Sequence, residues 1–166
     1  TGRAQILRAA LPEFAERGFA GATTAGIARR AGVTQPLVHH HFGSKLELYR
    51  AAVADVFADL EAQQTPLLRA VKGLDAKTII RVAVRQFILF SGQRPELVRL
   101  MMMESARDSE NARYIVETHV KPMARRFQRY LAKGVEEGSM RKLDEHLLHF
   151  FVMGAASYLS LVPVEA

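Results

Sequence analysis

The chain has 166 residues, 49% of them hydrophobic, which supports a packed core and excludes wholesale disorder. It holds no cysteine, so disulfides and thiolate metal sites are excluded; its longest near-apolar run, residues 147–162, is shorter than the ~20 residues of a membrane helix and contains His149. Net charge is +6, and the first 50 residues carry +4 of it, with seven basic and three acidic side chains, an asymmetry that suggests a polyanionic partner for this segment.

Alternating strand patterns are absent and helical spacing runs throughout, so the expected fold is all-α. In the first helix Ile6, Ala10 and Phe14 recur every four residues, with Leu7 and Leu11 beside them. Gly18 suits a left-handed C-cap, and Pro12 costs a backbone hydrogen bond inside the helix. Thr23 is the N-cap of a short helix ending at Ala31, weakened at Gly26 by about 1 kcal/mol relative to alanine. Gly32 stops it. Thr34 caps a second short helix with Pro36 in its first turn, and Gly43 ends that one. Ser44 and Glu47 form a capping box at the head of a long helix reaching about residue 64. Further helices are expected over 66–72, 76–93, 95–107, 111–137 and 144–161, separated at Thr65-Pro66, Gly73, Arg94-Pro95, Asp108-Ser109 and Gly138-Ser139.

Residues 23–42, TTAGIARRAGVTQPLVHHHF, carry the most specific pattern. Ala28 is small enough for close helix approach, Gly32 can take positive φ in a tight turn, Val33 fills the corner and Thr34 restarts a helix. This is the steric pattern of a helix-turn-helix, although helical hairpins in general can show it. The wider stretch ILRAALPEFAERGFAGATTAGIARRAGVTQPLVHHHFGSKLELYRAA resembles the N-terminal domain of the TetR family of transcriptional repressors. The resemblance is carried by Phe14 and Gly18, Thr23 with Ile27-Ala28, Ala31-Gly32-Val33-Thr34, His40-His41-Phe42 and Ser44-Lys45 before Leu48. Two departures fall where DNA would be read. His39 replaces the family's usual tyrosine, and Pro36-Leu37 stand where glycine and a small or polar residue are common. The base preference of relatives therefore does not transfer.

Consecutive helical residues point about 100° apart, so His39, His40 and His41 cannot converge on one metal ion. Val38 and Phe42 define the buried face; His39 and His40 then turn outward to donate to phosphates, while His41 lies beside the buried side as a structural residue. Gln35 can pair with adenine and Pro36 or Leu37 can touch a thymine methyl. Thr23 and Thr34 contact phosphate or, for Thr34, a base. Lys45 stands at a helix N-terminus, where an anion is already favoured. Arg29 and Arg30 are candidates for the flanking backbone.

The resemblance implies an N-terminal three-helix bundle, residues 1–43, joined through the long helix to a larger effector-binding and dimerisation domain, residues 44–166. It also implies a homodimer on a pseudo-palindromic double-stranded operator, released by a small-molecule effector. The apolar helix 144–161 would serve the dimer, and the family's final interface helix would lie beyond Ala166. Effector-pocket candidates are Gln86, Phe87, Phe90, Met101, Met102, Met103, Glu104, His119, Phe127 and Tyr130, since methionines and aromatics suit an adaptable apolar cavity and also fill ordinary cores. His146 and His149 are spaced as a metal pair, but no third ligand is fixed, so no metal and no cofactor is expected. G-x-S-x-G, phosphate-loop and H-E-x-x-H patterns are absent, which argues against an enzyme. No leader pattern is visible, and the chain reads as a cytoplasmic, non-membrane protein. The competing reading is a helical protein-interaction module without DNA binding.

Overall fold

The computed structural model describes residues 2–106, 109–142, 151–152 and 154–155. Its elements are all helices: α1 (Gly2–Gly21), α2 (Thr24–Ala31), α3 (Gln35–Phe42), α4 (Lys45–Ala70), α5 (Ala76–Gln93), α6 (Pro95–Ser105), α7 (Glu110–Ile115), a π turn (Val116–Val120) and α8 (Lys121–Glu136). Among the described residues no helix is long and apolar enough to cross a membrane. The expected helix 144–161 falls largely outside the described residues, as do His146 and His149.

α1 runs through Pro12 and departs from helical geometry only at Gly18, where φ is 68° and ψ is 168°. That positive φ is the glycine-only demand the sequence suggested, although ψ makes it a break rather than a left-handed cap. α2 and α3 begin and end close to where their caps predict, and α4 begins where its cap predicts. Thr23 accepts from the Gly26 N–H at 3.0 Å, and Gly32, at φ 67° and ψ 31°, closes the helix-turn-helix corner. Ser44 accepts from the Glu47 N–H at 3.1 Å, but the Ser44 N–H goes to the Phe42 carbonyl at 2.7 Å, so the capping box is half formed. Thr34 starts α3 with its backbone alone; its side chain makes no capping bond.

α4 continues four residues past Pro66, so the expected break at Thr65-Pro66 does not occur. Proline removes one donor and fixes φ near a helical value, and neighbouring helices hold the remaining turns in place. At 26 residues α4 is roughly 39 Å long. The stretch 110–136 is near-continuous helix, as expected, with one irregularity. In the π turn Lys121 donates to the Val116 carbonyl, five residues back, and Pro122 has no N–H to give the Thr118 carbonyl.

One hydrophobic core joins the N-terminal helices to the rest. Ile6, Phe14, Ile27, Leu48, Tyr49 and Val53 are fully buried together with Phe90, Leu100 and Ile115 from α5, α6 and α7. Phe14, Phe19 and Tyr49 form an aromatic triplet with centroids 5.0 to 6.2 Å apart. α1 packs against α6 as well as against α2 and α4.

Candidate nucleic-acid interface and inner cavity

α3 presents two faces. Val38 and Phe42 are buried against the bundle, and Thr34, Gln35, Pro36, His39 and His40 are exposed, with Leu37 half-buried. His41, expected at the edge of the core, is exposed too. It packs edge-on against the His40 ring at 5.4 Å, and a β-carbon at Gly2 would lie 3.6 Å from its Nε2.

A side-chain relay fastens this face to α2. Gln35 Nε2 donates to Thr24 Oγ1 at 3.2 Å, Thr24 Oγ1 lies 3.4 Å from His39 Nε2, and His39 Nδ1 lies 3.3 Å from the Gly43 carbonyl. With Nδ1 protonated, all three bonds run in one direction: amide to hydroxyl, hydroxyl to imidazole, imidazole to carbonyl. The Gln35 amide is then oriented, with Oε1 and one N–H left to face outward. Thr24 was not singled out from the sequence, where its neighbour Thr23 drew the role. Thr23 spends its hydroxyl on the cap of α2.

The cations divide into bound and available. Arg30 makes a two-pronged ion pair with Glu16 at 2.7 and 2.8 Å and reaches buried Glu13 at 3.5 Å; Arg17 also pairs with Glu13, at 2.9 Å. The Arg30 hydrogen bonds hold the Glu16 carboxyl below its usual range. Arg30 is therefore a strut between α1 and α2. Lys45 Nζ donates to the Ala22 carbonyl at 3.1 Å and the Ala20 carbonyl at 3.4 Å and sits 4.7 Å over the Phe19 ring, so it caps the end of α1. Arg29 is exposed and has no ion pair among the described residues. Arg3 is exposed, 5.3 Å over the Phe42 ring beside α3.

Gly26 explains how α2 comes so close to α1. A β-carbon there would lie 2.9 Å from Glu13 Oε1 and 3.1 Å from Thr23 Oγ1. The residue that weakens α2 as a helix is what lets its backbone pass over a pinned, buried carboxylate.

Behind α1, α2 and α3, the helices α4, α5, α6 and α8 border a cavity of about 400 Å³ with mostly apolar walls, among them Phe57, Phe87, Val98, Met101, Phe127 and Leu131. Of the expected pocket residues, Phe87, Met101 and Phe127 line it. His119 lines an adjoining cavity of about 420 Å³. The others lie elsewhere. Phe90 is fully buried in the core, Met102 is 42% exposed, Met103 faces Gly18, Gln86 bonds Gln63 at 3.1 Å, and Tyr130 lines neither cavity. Glu104 is buried where α6 meets α4 and the N-terminal helices. It accepts from the Tyr49 hydroxyl at 3.1 Å and from the Ser109 hydroxyl at 2.7 Å. Burial, reinforced by that carboxylate, keeps Tyr49 protonated far above the ordinary phenol range. Among the described residues no three histidines, cysteines or carboxylates are grouped to hold a metal.

Comparison with known proteins agrees with this arrangement along the chain. Residues 6–52 match the model of the bacterial regulatory proteins of the tetR family, and residues 74–161 match the tetracyclin repressor-like C-terminal domain. The HTH-type transcriptional activator FasR of Mycolicibacterium smegmatis is 39% identical over 88 residues, 53% of this chain and 39% of that protein, so the chain spans well under half of that relative's length. The ketosteroid transcriptional regulator KstR2 of Mycobacterium tuberculosis superposes with a TM-score of 0.78 at 22% identity, covering 100% of this chain and 85% of that one. AibR, solved with isovaleryl coenzyme A and operator DNA, superposes with a TM-score of 0.79 at 18% identity, covering 98% and 87%. Both structures share the fold.

Proposed function

The chain belongs to the tetR family of bacterial regulatory proteins, a family of transcription regulators rather than enzymes, and we propose that it is a ligand-responsive regulator that binds a pseudo-palindromic operator as a dimer and leaves it when a small apolar-tailed effector binds. The observation that carries the proposal is the exposed face of α3, where Thr34, Gln35, Pro36, His39 and His40 project together from a rigid corner. Gln35, held by Thr24, has the free oxygen and N–H that adenine N6 and N7 require, and Pro36 and Leu37 offer apolar surface to a thymine methyl. Thr34, with its hydroxyl uncommitted to a cap, His40 and Arg29 suit phosphate contact. Lys45 and Thr23 support the site from behind, through the carbonyls and the N–H they already hold. One recognition helix reads few base pairs, so a two-fold pair of them is needed, with dimer contacts in the C-terminal unit from residue 44 onward.

Coupling runs through α6. Val98 and Met101 border the cavity, and a turn later Met103 presses on Gly18 while Glu104 holds Tyr49 of α4. α1 packs along α6, so a shift of α6 is passed on to α1. An effector that fits the cavity better in the released state than in the bound state thereby lowers operator affinity.

The test is selection of preferred sites from a random duplex pool, followed by binding at several salt concentrations. An inverted-repeat site is expected, with affinity falling steeply as salt rises because each neutralised phosphate releases counterions. Gln35→Ala should relax the preference at one position per half-site by about 1–3 kcal/mol. Recovery of no enriched site, together with a flat salt response, rejects DNA binding and leaves the protein-interaction reading.

A further inference from the structure

The two cavities share Phe57, Gln64 and Met123 as walls, yet their chemistry differs. The inner one is apolar. The adjoining one is bordered by Glu61 of α4, Arg126 and Arg129 of α8, and Thr118 and His119 of the π turn. Arg126 Nη1 is 3.3 Å from Glu61 Oε1, a loose pairing, whereas Arg129 has no ion pair among the described residues. Among the described residues Arg129 therefore brings an exposed, unpaired positive charge to the rim of the adjoining cavity. A second observation falls at the same place. His119 Nε2 is buried with no hydrogen-bond partner among the described residues, while its ring lies flat on Phe57 at 4.7 Å and edge-on to Tyr114 at 5.7 Å. A buried polar nitrogen without a partner is costly, and it gains most from a polar group brought to it. The π turn is what sets His119 and Thr118 against α4, since Pro122 cannot supply the ordinary helical bond.

We infer that the adjoining cavity is an anion subsite for the head of an amphipathic effector, a carboxylate or phosphate held by Arg129 and Arg126, with the tail lying between Phe57 and Met123 into the inner cavity. This rests on the effector reading above and specifies the class of molecule. Glu61 competes with the head group for Arg126, so an entering anion displaces an existing weak pair rather than a strong one. Guanidinium groups suit the planar, two-pronged recognition that either head group allows.

The experiment measures binding of decanoate, decyl phosphate, decanol and decylamine to the full chain by calorimetry. The tail is constant and the head varies in charge. One or both anions are expected to bind about tenfold tighter than decanol, as a charge-assisted contact allows, with decylamine weakest; the tighter anion identifies the head group. Arg129→Gln should remove most of that preference while leaving decanol affinity unchanged, and Glu61→Gln should strengthen anion binding. Equal binding of the anions and decanol, or an anion preference that survives Arg129→Gln, overturns the subsite and leaves the apolar effector cavity standing. If no member of the series binds, the effector cavity itself is rejected and the subsite with it. Circular dichroism of each variant confirms that it is folded.

Discussion

The two ends of this molecule obey opposite packing rules. Around α1, α2 and α3 space is exhausted. Ile6, Phe14 and Ile27 are fully buried, Glu13 is pinned by two arginines, and Gly26 has no room for one more carbon. Between α4, α5, α6 and α8 about 400 Å³ is left unfilled. On the function proposed above, the first region holds a reading helix rigidly, since misplacement by an ångström ruins base contacts, and the second accepts a guest, which open space favours at a cost in stability.

Substitutions that add or remove volume at the two ends should therefore behave differently. Phe14→Ala removes the centre of the aromatic triplet and should cost about 3–5 kcal/mol in chemical denaturation, abolishing DNA binding. A loss under 1 kcal/mol would mean that the bundle is not the rigid end. Gly26→Ala adds a single methyl against Glu13 and should cost about 1–3 kcal/mol despite alanine's better helix propensity. Adding Glu13→Ala to it should recover part of that loss. At the other end Met101→Phe adds a similar volume, yet it should be neutral or stabilise by about 0.5–2 kcal/mol because the cavity receives the ring. Operator binding should persist while effector release fails, as read by a shift assay with and without ligand. Destabilisation comparable to that of Gly26→Ala would erase the contrast.

The smallest expected effect concerns pH. Burial holds His119 below the ordinary histidine range. As pH falls through about 6.5 the unfolded chain takes up a proton that the folded chain refuses, so stability declines with acidification across that window. His119→Gln should flatten the melting temperature against pH between about 7.5 and 5. An unchanged slope would assign the effect to other groups.

The rigid end was largely legible in the sequence because its demands are local. Positive φ at Gly32 and Gly43, the Thr23 cap and the Val38–Phe42 spacing each specify geometry within a few residues. The cavity was not, because an empty volume is set by what neighbouring helices fail to fill. Phe87 and Phe90 are both apolar and one turn apart, yet the first lines the cavity and the second is core. Met101, Met102 and Met103 were grouped, although the 100° step that separates three adjacent histidines must also separate three adjacent methionines. One meets the cavity, one faces solvent and one meets Gly18. Lys121-Pro122, inside an otherwise regular helical pattern, carried a signal for the π turn that spacing alone passes over.

That turn amounts to one surplus residue in a helical ladder. The wide turn absorbs that residue locally: with Lys121 rather than Val120 bonded to the Val116 carbonyl, the side chains beyond keep the faces of a regular helix one residue shorter. Closing the turn to ordinary winding with no residue removed would swing every later side chain by about 100° around the axis of α8, carrying Arg126 and Arg129 away from Glu61 and Phe127 out of its apolar surroundings. The facing of α8 is thus stored in five residues.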